Sequence, residues 1–187
     1  MFDIRKIQEQ ILYEAVKLES DDETAKLIVH GDNGSAKNQD NAAWVKSAMH
    51  RLENKFDPAT TKQIRMTCQC GYGMDEKLKL IENLIASSSS MEEFASLAKA
   101  AGLFYQGGVL YLQFQFCPCP MLADVDRLET NTWCQCTTGY SKVLFEKAFG
   151  CEVDVELLKS VKMGDDVCLM TIMPHDCVSA FCRSYTI

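Results

Sequence analysis

Near Gly108 the spacing of the apolar residues changes, and that change restricts the chain to folds that combine helices with a sheet. Before it, hydrophobic residues recur every three or four positions. Ile4, Ile7, Ile11, Ala15 and Leu18 form one such series, Trp44, Ala48, Leu52 and Phe56 a second, and Leu78, Ile81, Leu84 and Ile85 a third. This spacing lines them along one side of a helix, which must then bury that side. After it, Leu110, Leu112, Phe114 and Phe116 alternate with Tyr111, Gln113 and Gln115, as in a strand with one covered face.

Start and stop signals divide the two regions further. A polar loop, His30–Ser35, carries an Asn-Gly turn signal, and a helix is predicted to begin near Asp40. Asp57-Pro58 reads as an N-cap with proline in the first turn, and Asp75 as the cap of another helix. Ser90-Met91-Glu92-Glu93 has the form of a capping box, opening a helix that buries Phe94, Leu97 and Ala101 and stops at Gly102. Pro118 and Pro120 are expected to end the strand, since neither can donate to a ladder. Residues 139–149 read as a helix with Tyr140, Val143, Leu144 and Ala148 on one side and Gly150 as its stop. Strands follow over about 151–159 and 166–173, joined by a turn around Gly164-Asp165. The expected fold is α+β, an N-terminal helical layer packed on a small, mostly antiparallel sheet. It forms a single domain over 1–187, mainly helical over 1–107 and strand-helix-strand-strand over 108–187.

Composition excludes several functions. With 26 acidic against 19 basic residues the net charge is −7, and no dense Lys/Arg patch would grip a phosphate backbone, so nucleic acid is not an expected partner. The N-terminal stretch MFDIRKIQEQILYEAVKLESDDE intersperses charges among its apolar positions and lacks a secretory apolar core. No run approaches the roughly 18 apolar residues of a membrane span. The expected location is the cytoplasm, where the ten cysteines would stay thiols or thiolates.

Six of those cysteines share one spacing: Cys68-Gln69-Cys70, Cys117-Pro118-Cys119 and Cys134-Gln135-Cys136. In extended chain an i, i+2 pair puts both side chains on one face, roughly 6.6 Å apart along the backbone. That is wide for a disulfide but a workable bite for a metal ion, and two pairs would complete a four-sulfur zinc shell or hold an iron–sulfur cluster. Pro118 and Pro120 bias Cys117 and Cys119 towards extended geometry, and Gly71 and Gly73 allow tight turning beside the first pair. Cys136 just precedes a predicted helix, whose positive end would lower a thiol pKa and favour a nucleophile. All six are candidate metal ligands, with the three pairs expected at one end of the domain and the middle and last pairs closest. Since six ligands exceed the four a site needs, one pair is left over for another role.

Cys151, Cys168, Cys177 and Cys182 read instead as small buried hydrophobes. His50 falls off the apolar stripe of its helix, His30 sits in the polar loop, and His175-Asp176-Cys177 reads as the end of a strand rather than a catalytic set. No catalytic residue is assigned.

The stretch from Gly139-Tyr140 through Phe149-Gly150-Cys151-Glu152-Val153 to Gly164-Asp165-Asp166-Val167-Cys168 resembles the closing part of two related groups. One is the small-molecule-binding domain named after the vinyl reductases of bacteriochlorophyll synthesis. The other comprises the bacterial L-2-amino-thiazoline-4-carboxylic acid hydrolase-like proteins. The first resemblance implies an α+β ligand-binding fold with a metal held by cysteines, and the second a hydrolase-like activity on a small sulfur heterocycle. The three pairs belong to neither pattern and look more like a cysteine-rich set of bacterial proteins without assigned activity. The leading expectation is a metal-binding protein, zinc or iron–sulfur, in a small-molecule-binding or sensor role. The alternative is a cysteine-dependent enzyme of thiol redox or of hydrolysis of a small sulfur-containing acid. A small-molecule ligand is allowed as a partner, a membrane is not expected, and the oligomeric state is left open.

Overall fold

The computed structural model describes residues 3–175. Over these the chain is α+β, with seven α-helices and one four-stranded antiparallel sheet; helices dominate its N-terminal part and strands its C-terminal part. Contacts gather the chain into two compact units whose segments alternate in sequence. The first takes the chain up to Cys70, then Cys117–Gly139 and Val161–Gly164. The second takes Gly71–Phe116, Tyr140–Ser160 and the chain from Asp165 onward. The change of period at 107/108 therefore does not mark the division in space, because the helices after Gly71 turn their apolar stripes to the strands. No helix among the described residues is long and apolar enough to cross a membrane.

The first unit is helical: α1 (Ile4–Glu19), α2 (Asp22–His30), α3 (Asn41–Lys55) and α4 (Pro58–Thr67). Each begins the same way. Asp3, Asp21, Asp40 and Asp57 stand at the N-caps and accept from backbone N–H groups of the first turn, placing a carboxylate at the positive end of each helix. Helix α1 packs on α2 and α4, and α3 on α2 and α4. Leu12, Val16, Ile28, Val29, Trp44, Ala48, Leu52 and Ile64 are buried there, with Met121, Leu122 and Trp133 supplied by the returning segment. His30 is the last residue of α2 rather than part of the loop, which begins at Gly31 with φ +70°.

The second unit holds α5 (Met74–Ala86), α6 (Met91–Leu97), the part of α7 (Gln135–Phe149) from Tyr140, and strands β1 (Leu103–Gln106), β2 (Val109–Phe114), β3 (Val153–Lys159) and β4 (Cys168–Pro174). The sheet order is β1-β2-β4-β3, with every pairing antiparallel. Its inner face carries Leu103, Leu110, Leu112, Met170, Ile172, Val153 and Val155. Ile81, Met91, Phe94, Leu144, Phe145 and Phe149 from the helices cover that face. Phe94 meets Phe149 edge-on, with ring centroids 6.0 Å apart.

Several expectations need correction. A strand over Leu103–Gln106 was hidden beneath the helical reading, because four residues are too few to show a period. Strand β2 ends at Phe114, before either proline, since its partner β4 begins at Cys168 opposite Phe114. Phe116 therefore lies outside the ladder and is exposed. Gly73 rather than Asp75 occupies the N-cap of α5, and Asp75 contributes in the first turn. Ser90 does cap α6 through the Glu93 N–H, but Glu93 reaches back to Ser89 instead of to Ser90. Leu97 is exposed. Cys151, expected as a buried thiol, is disulfide-bonded. Cys177 and Cys182 lie outside the described residues.

Gly102 carries the chain from the short 3-10 turn Ala98–Ala101 into β1 with φ +90°, and a Cβ there would sit 2.3 Å from the Gln113 carbonyl oxygen. The same two residues share a ladder bond, Gln113 N–H to Gly102 O at 2.8 Å, so neither backbone can retreat. Gly102→Ala is expected to destabilise the protein by about 2 kcal/mol or more, read as the change in urea midpoint at constant slope.

Candidate metal centre

Helix α4 ends on the first cysteine. The Cys68 N–H donates to the Arg65 carbonyl at 3.1 Å, and its Sγ–H donates to the Ile64 carbonyl at 3.1 Å. Cys68 is fully buried. The last pair lies on a tightening turn that becomes α7: Cys134 N–H to Asn131 O, Cys136 N–H to Trp133 O and Thr137 N–H to Cys134 O are all three-residue steps. Cys136 is the second residue of the helix, so the helix starts four residues before the expected position. The middle pair ends on Cys119, whose backbone is extended (φ −82°, ψ 115°) because Pro120 follows and opens a 3-10 turn, Pro120–Leu122.

Gly139 fixes how these segments meet. A Cβ at this position would lie 1.8 Å from the Met66 carbonyl oxygen and 2.7 Å from the Met66 Cα. Backbone of α7 is thus laid directly on backbone of α4, one residue from Arg65 and two from Cys68. All six candidate cysteines fall in the first unit, and all are thiols.

Two residues not recognised in the sequence organise the site. Arg65 is fully buried. Its Nη2 donates to the Trp133 carbonyl at 3.1 Å, its guanidinium carbon lies 4.2 Å from the Trp133 ring centroid, and its Nε and Nη1 have no hydrogen-bond partner. Trp133 in turn donates its indole Nε1–H to Cys119 Sγ at 3.3 Å and meets Trp44 edge-on at 5.5 Å. Beside them the Oε1 of Gln135 and the Oγ1 of Thr138, both on the first turn and a half of α7, are buried without partners. A sequence signal for Arg65 existed: Thr61, Ile64, Arg65 and Cys68 share one helical side, and the first three are buried. An arginine inside an apolar stripe has to be paired with something.

Burial pushes the Cys136 thiol up to about 12; the Arg65 guanidinium opposes the rise, while neighbouring Cys119, Cys68 and Cys134 add to it. Burial also raises Cys68, against the pull of the adjacent Arg65. The lowering of the Cys136 thiol expected from the helix start is opposed by desolvation, which acts upward. The structure brings Cys119, from the middle pair, and Cys68 and Cys134 within electrostatic reach of Cys136. Cys68 and Cys134 are buried, and Cys70, Cys117, Cys119 and Cys136 are half-buried.

This chain belongs to the family described as a family of unknown function (DUF6144), whose model matches residues 1–179. No curated protein and no solved structure matches it. The matched span of the DUF6144 family contains all three pairs together with Arg65, Trp133 and Gly139.

Among the described residues no three His, Cys, Asp or Glu side chains already stand as a metal-ligand group. The protonation state supplies the reason for Cys68: as a thiol it is held by its bond to the Ile64 carbonyl. A thiolate cannot donate, so ionisation would cost that bond, while the adjacent Arg65 side chain favours the ionised form. The groups gathered here are thiols beside the unpartnered N–H groups of Arg65. The histidines play no part. His50 pairs with Asn54 on an exposed helix face, and His175 pairs with Asp154 at 2.8 Å in the second unit.

Two outcomes follow from this geometry. Replacing a helical glycine by alanine usually stabilises by about 0.5–1 kcal/mol. Gly139→Ala should instead destabilise by about 3 kcal/mol, because the Met66 carbonyl belongs to a packed helix end. Chemical denaturation of the variant measures the sign directly. The second outcome concerns pH. In the unfolded chain Cys136 ionises near its ordinary value of 9.0, and in the folded chain only at about 12. Between these values the unfolded chain holds fewer protons, so stability falls as pH rises. Chelator-treated protein should melt at a lower temperature at about pH 10 than at about pH 8. Cys136→Ser should reduce that loss, and an equal loss in the variant would disconnect it from this thiol.

Proposed function

We propose that this protein is a metal- or cluster-binding protein in which thiolates drawn from the Cys-x-Cys pairs hold zinc or an iron–sulfur group. The observation that carries this reading is the fully buried Arg65, with two unpartnered N–H donors, beside Cys68 and Cys136 and stacked on Trp133, whose indole N–H donates to Cys119 Sγ. A buried guanidinium cannot discharge itself by losing a proton, so its compensation has to come from anions nearby. The anions available are thiolates. Bound metal makes thiols ionise at neutral pH, and its binding energy then adds to folding. Zinc would supply a closed structural shell, and an iron–sulfur cluster would supply one-electron chemistry. The alternative of an activated cysteine enzyme receives less support, since both resolved thiol shifts run upward, away from reactivity.

Protein purified without oxygen and analysed for zinc, iron and acid-labile sulfide tests the proposal. About one zinc, or one cluster's iron and sulfide, is expected per chain, with a fall in melting temperature when a chelator removes it. Less than about half an equivalent of any metal, together with no change on adding zinc or iron and sulfide, would count decisively against it.

A further inference from the structure

Gln135, Thr138 and Gly139 stand at i, i+3 and i+4 in α7 and so share one side of that helix. Gly139 is the one seated on the Met66 backbone, which turns this side towards α4 one residue from Arg65. Arg65 meets it there: its Nη2 donates at 3.1 Å to the carbonyl of Trp133, two residues before Gln135. All of these residues belong to the first unit. Arg65 and Thr138 are wholly buried, and Gln135 is 6% exposed. Of the seven buried side-chain polar atoms without a partner among the described residues, four gather in this seam: Arg65 Nε and Nη1, Thr138 Oγ1 and Gln135 Oε1. Buried polar atoms are nearly always paired, so orphans concentrated in one place point to a group that is not part of the chain.

The chemistry of the four atoms narrows what that group is. No ion pair among the described residues includes Arg65, and the adjacent Cys68 is uncharged while its proton is on the Ile64 carbonyl. Water would satisfy the hydrogen bonds but leave the guanidinium charge uncompensated. A halide would meet the charge but offers no proton to Gln135 Oε1, which can only accept. A carboxylate with a neighbouring hydroxyl does both. Its oxygens accept from Arg65 and from the Thr138 hydroxyl, and its own O–H donates to Gln135. An ammonium in place of that hydroxyl would bring a second cation beside Arg65. Side chains at i and i+3 start roughly 5–6 Å apart, a span that an acid of two or three carbons bridges.

We infer that the seam between α4 and α7 is a binding site for a small 2-hydroxy acid, with Arg65 and Thr138 holding its carboxylate and Gln135 its hydroxyl. No bond is made or broken. The inference stands apart from the metal-binding reading, since it concerns the molecule with its thiols protonated.

Calorimetric titration of the full chain, chelator-treated and kept reduced, tests it with glycolate, acetate, glycine and chloride at constant ionic strength. One glycolate per chain is expected. Acetate leaves Gln135 unpaired and should bind at least about tenfold more weakly, with glycine and chloride no better than acetate. Gln135→Leu should remove the advantage of glycolate and leave acetate unchanged, whereas Thr138→Val should weaken both about tenfold. Arg65→Met should abolish both. Because Arg65→Met also removes a packed side chain, the other two variants carry the decision, each first checked for the wild-type circular dichroism spectrum. Wild-type protein that binds neither glycolate nor acetate, or glycolate no more tightly than chloride, would overturn the inference. So would a glycolate affinity untouched by Thr138→Val, or a preference for glycolate that survives Gln135→Leu. Zinc taken up by a chain that binds no acid would end this inference and leave the metal-binding reading standing. Acid bound by a chain that takes up no metal would do the reverse.

Discussion

A guanidinium sealed from water has few ways to be stable, and the helical unit is arranged around one. Arg65 spends one donor on the Trp133 carbonyl and lays its flat face on the Trp133 ring. A desolvated cation–π contact contributes on the order of 2 kcal/mol, whereas burying an unpaired charge costs several. The difference has to be made up by negative charge, and thiols are the ionisable groups at hand. Yet Cys68 and Cys136 resist ionisation, both being raised by desolvation, Cys136 to about 12. Neither side can reach its favourable state alone. A thiophilic cation resolves both conflicts at once, because it removes the thiol protons and leaves a net negative centre for Arg65 to face. The proposed function is the state in which this unit has no unpaired charge.

Backbone geometry makes the convergence obligatory. With no side chain at Gly139, α7 rests on the Met66 carbonyl, which brings the start of one helix to the end of another. The two helix ends act oppositely on a sulfur. A thiolate at Cys136 lies in the first turn of α7, where the helix dipole favours it, while one at Cys68 lies at the carbonyl end of α4, where the dipole opposes it. Arg65, one turn before Cys68, offsets that disadvantage at the place where it is greatest. The Asp N-caps of α1 to α4 follow the same electrostatic rule in its ordinary form, carboxylate at the positive end.

Local signals made much of the fold legible. Asp40, Asp57 and Ser90 cap helices as their residue types dictate, Gly102 and Gly150 stand at helix ends with positive φ, and the alternation from Leu110 to Phe114 is the core-facing row of β2. What the sequence concealed depended on partners distant along the chain. Strand β1 is defined by its pairing with β2, and β2 stops where β4 starts, which no local pattern encodes. The six cysteines were visible as candidates because identical spacings are improbable by chance. Arg65 and Trp133 were not, since an arginine on a helix usually reaches water and a tryptophan usually fills a core. Their role emerges only when α4 and the segment before α7 are brought together.

The same dependence on the fold governs how the cysteine pairs are presented. Two cysteines at i and i+2 share a side only in extended chain. Cys68 closes a helix and Cys70 follows it, and Cys134 and Cys136 ride a turn that becomes a helix, where positions two apart diverge around the axis. Cys119 is held extended by the proline after it, the geometry that the chelating-pair expectation assumed. A four-sulfur site built on this backbone therefore has to take its ligands by position in the fold rather than two by two along the sequence. Placing them on three separate segments has an energetic consequence. Metal binding would then join a helix end, a loop and a helix start that are far apart in the chain, and would contribute to the stability of the whole helical unit rather than of one turn.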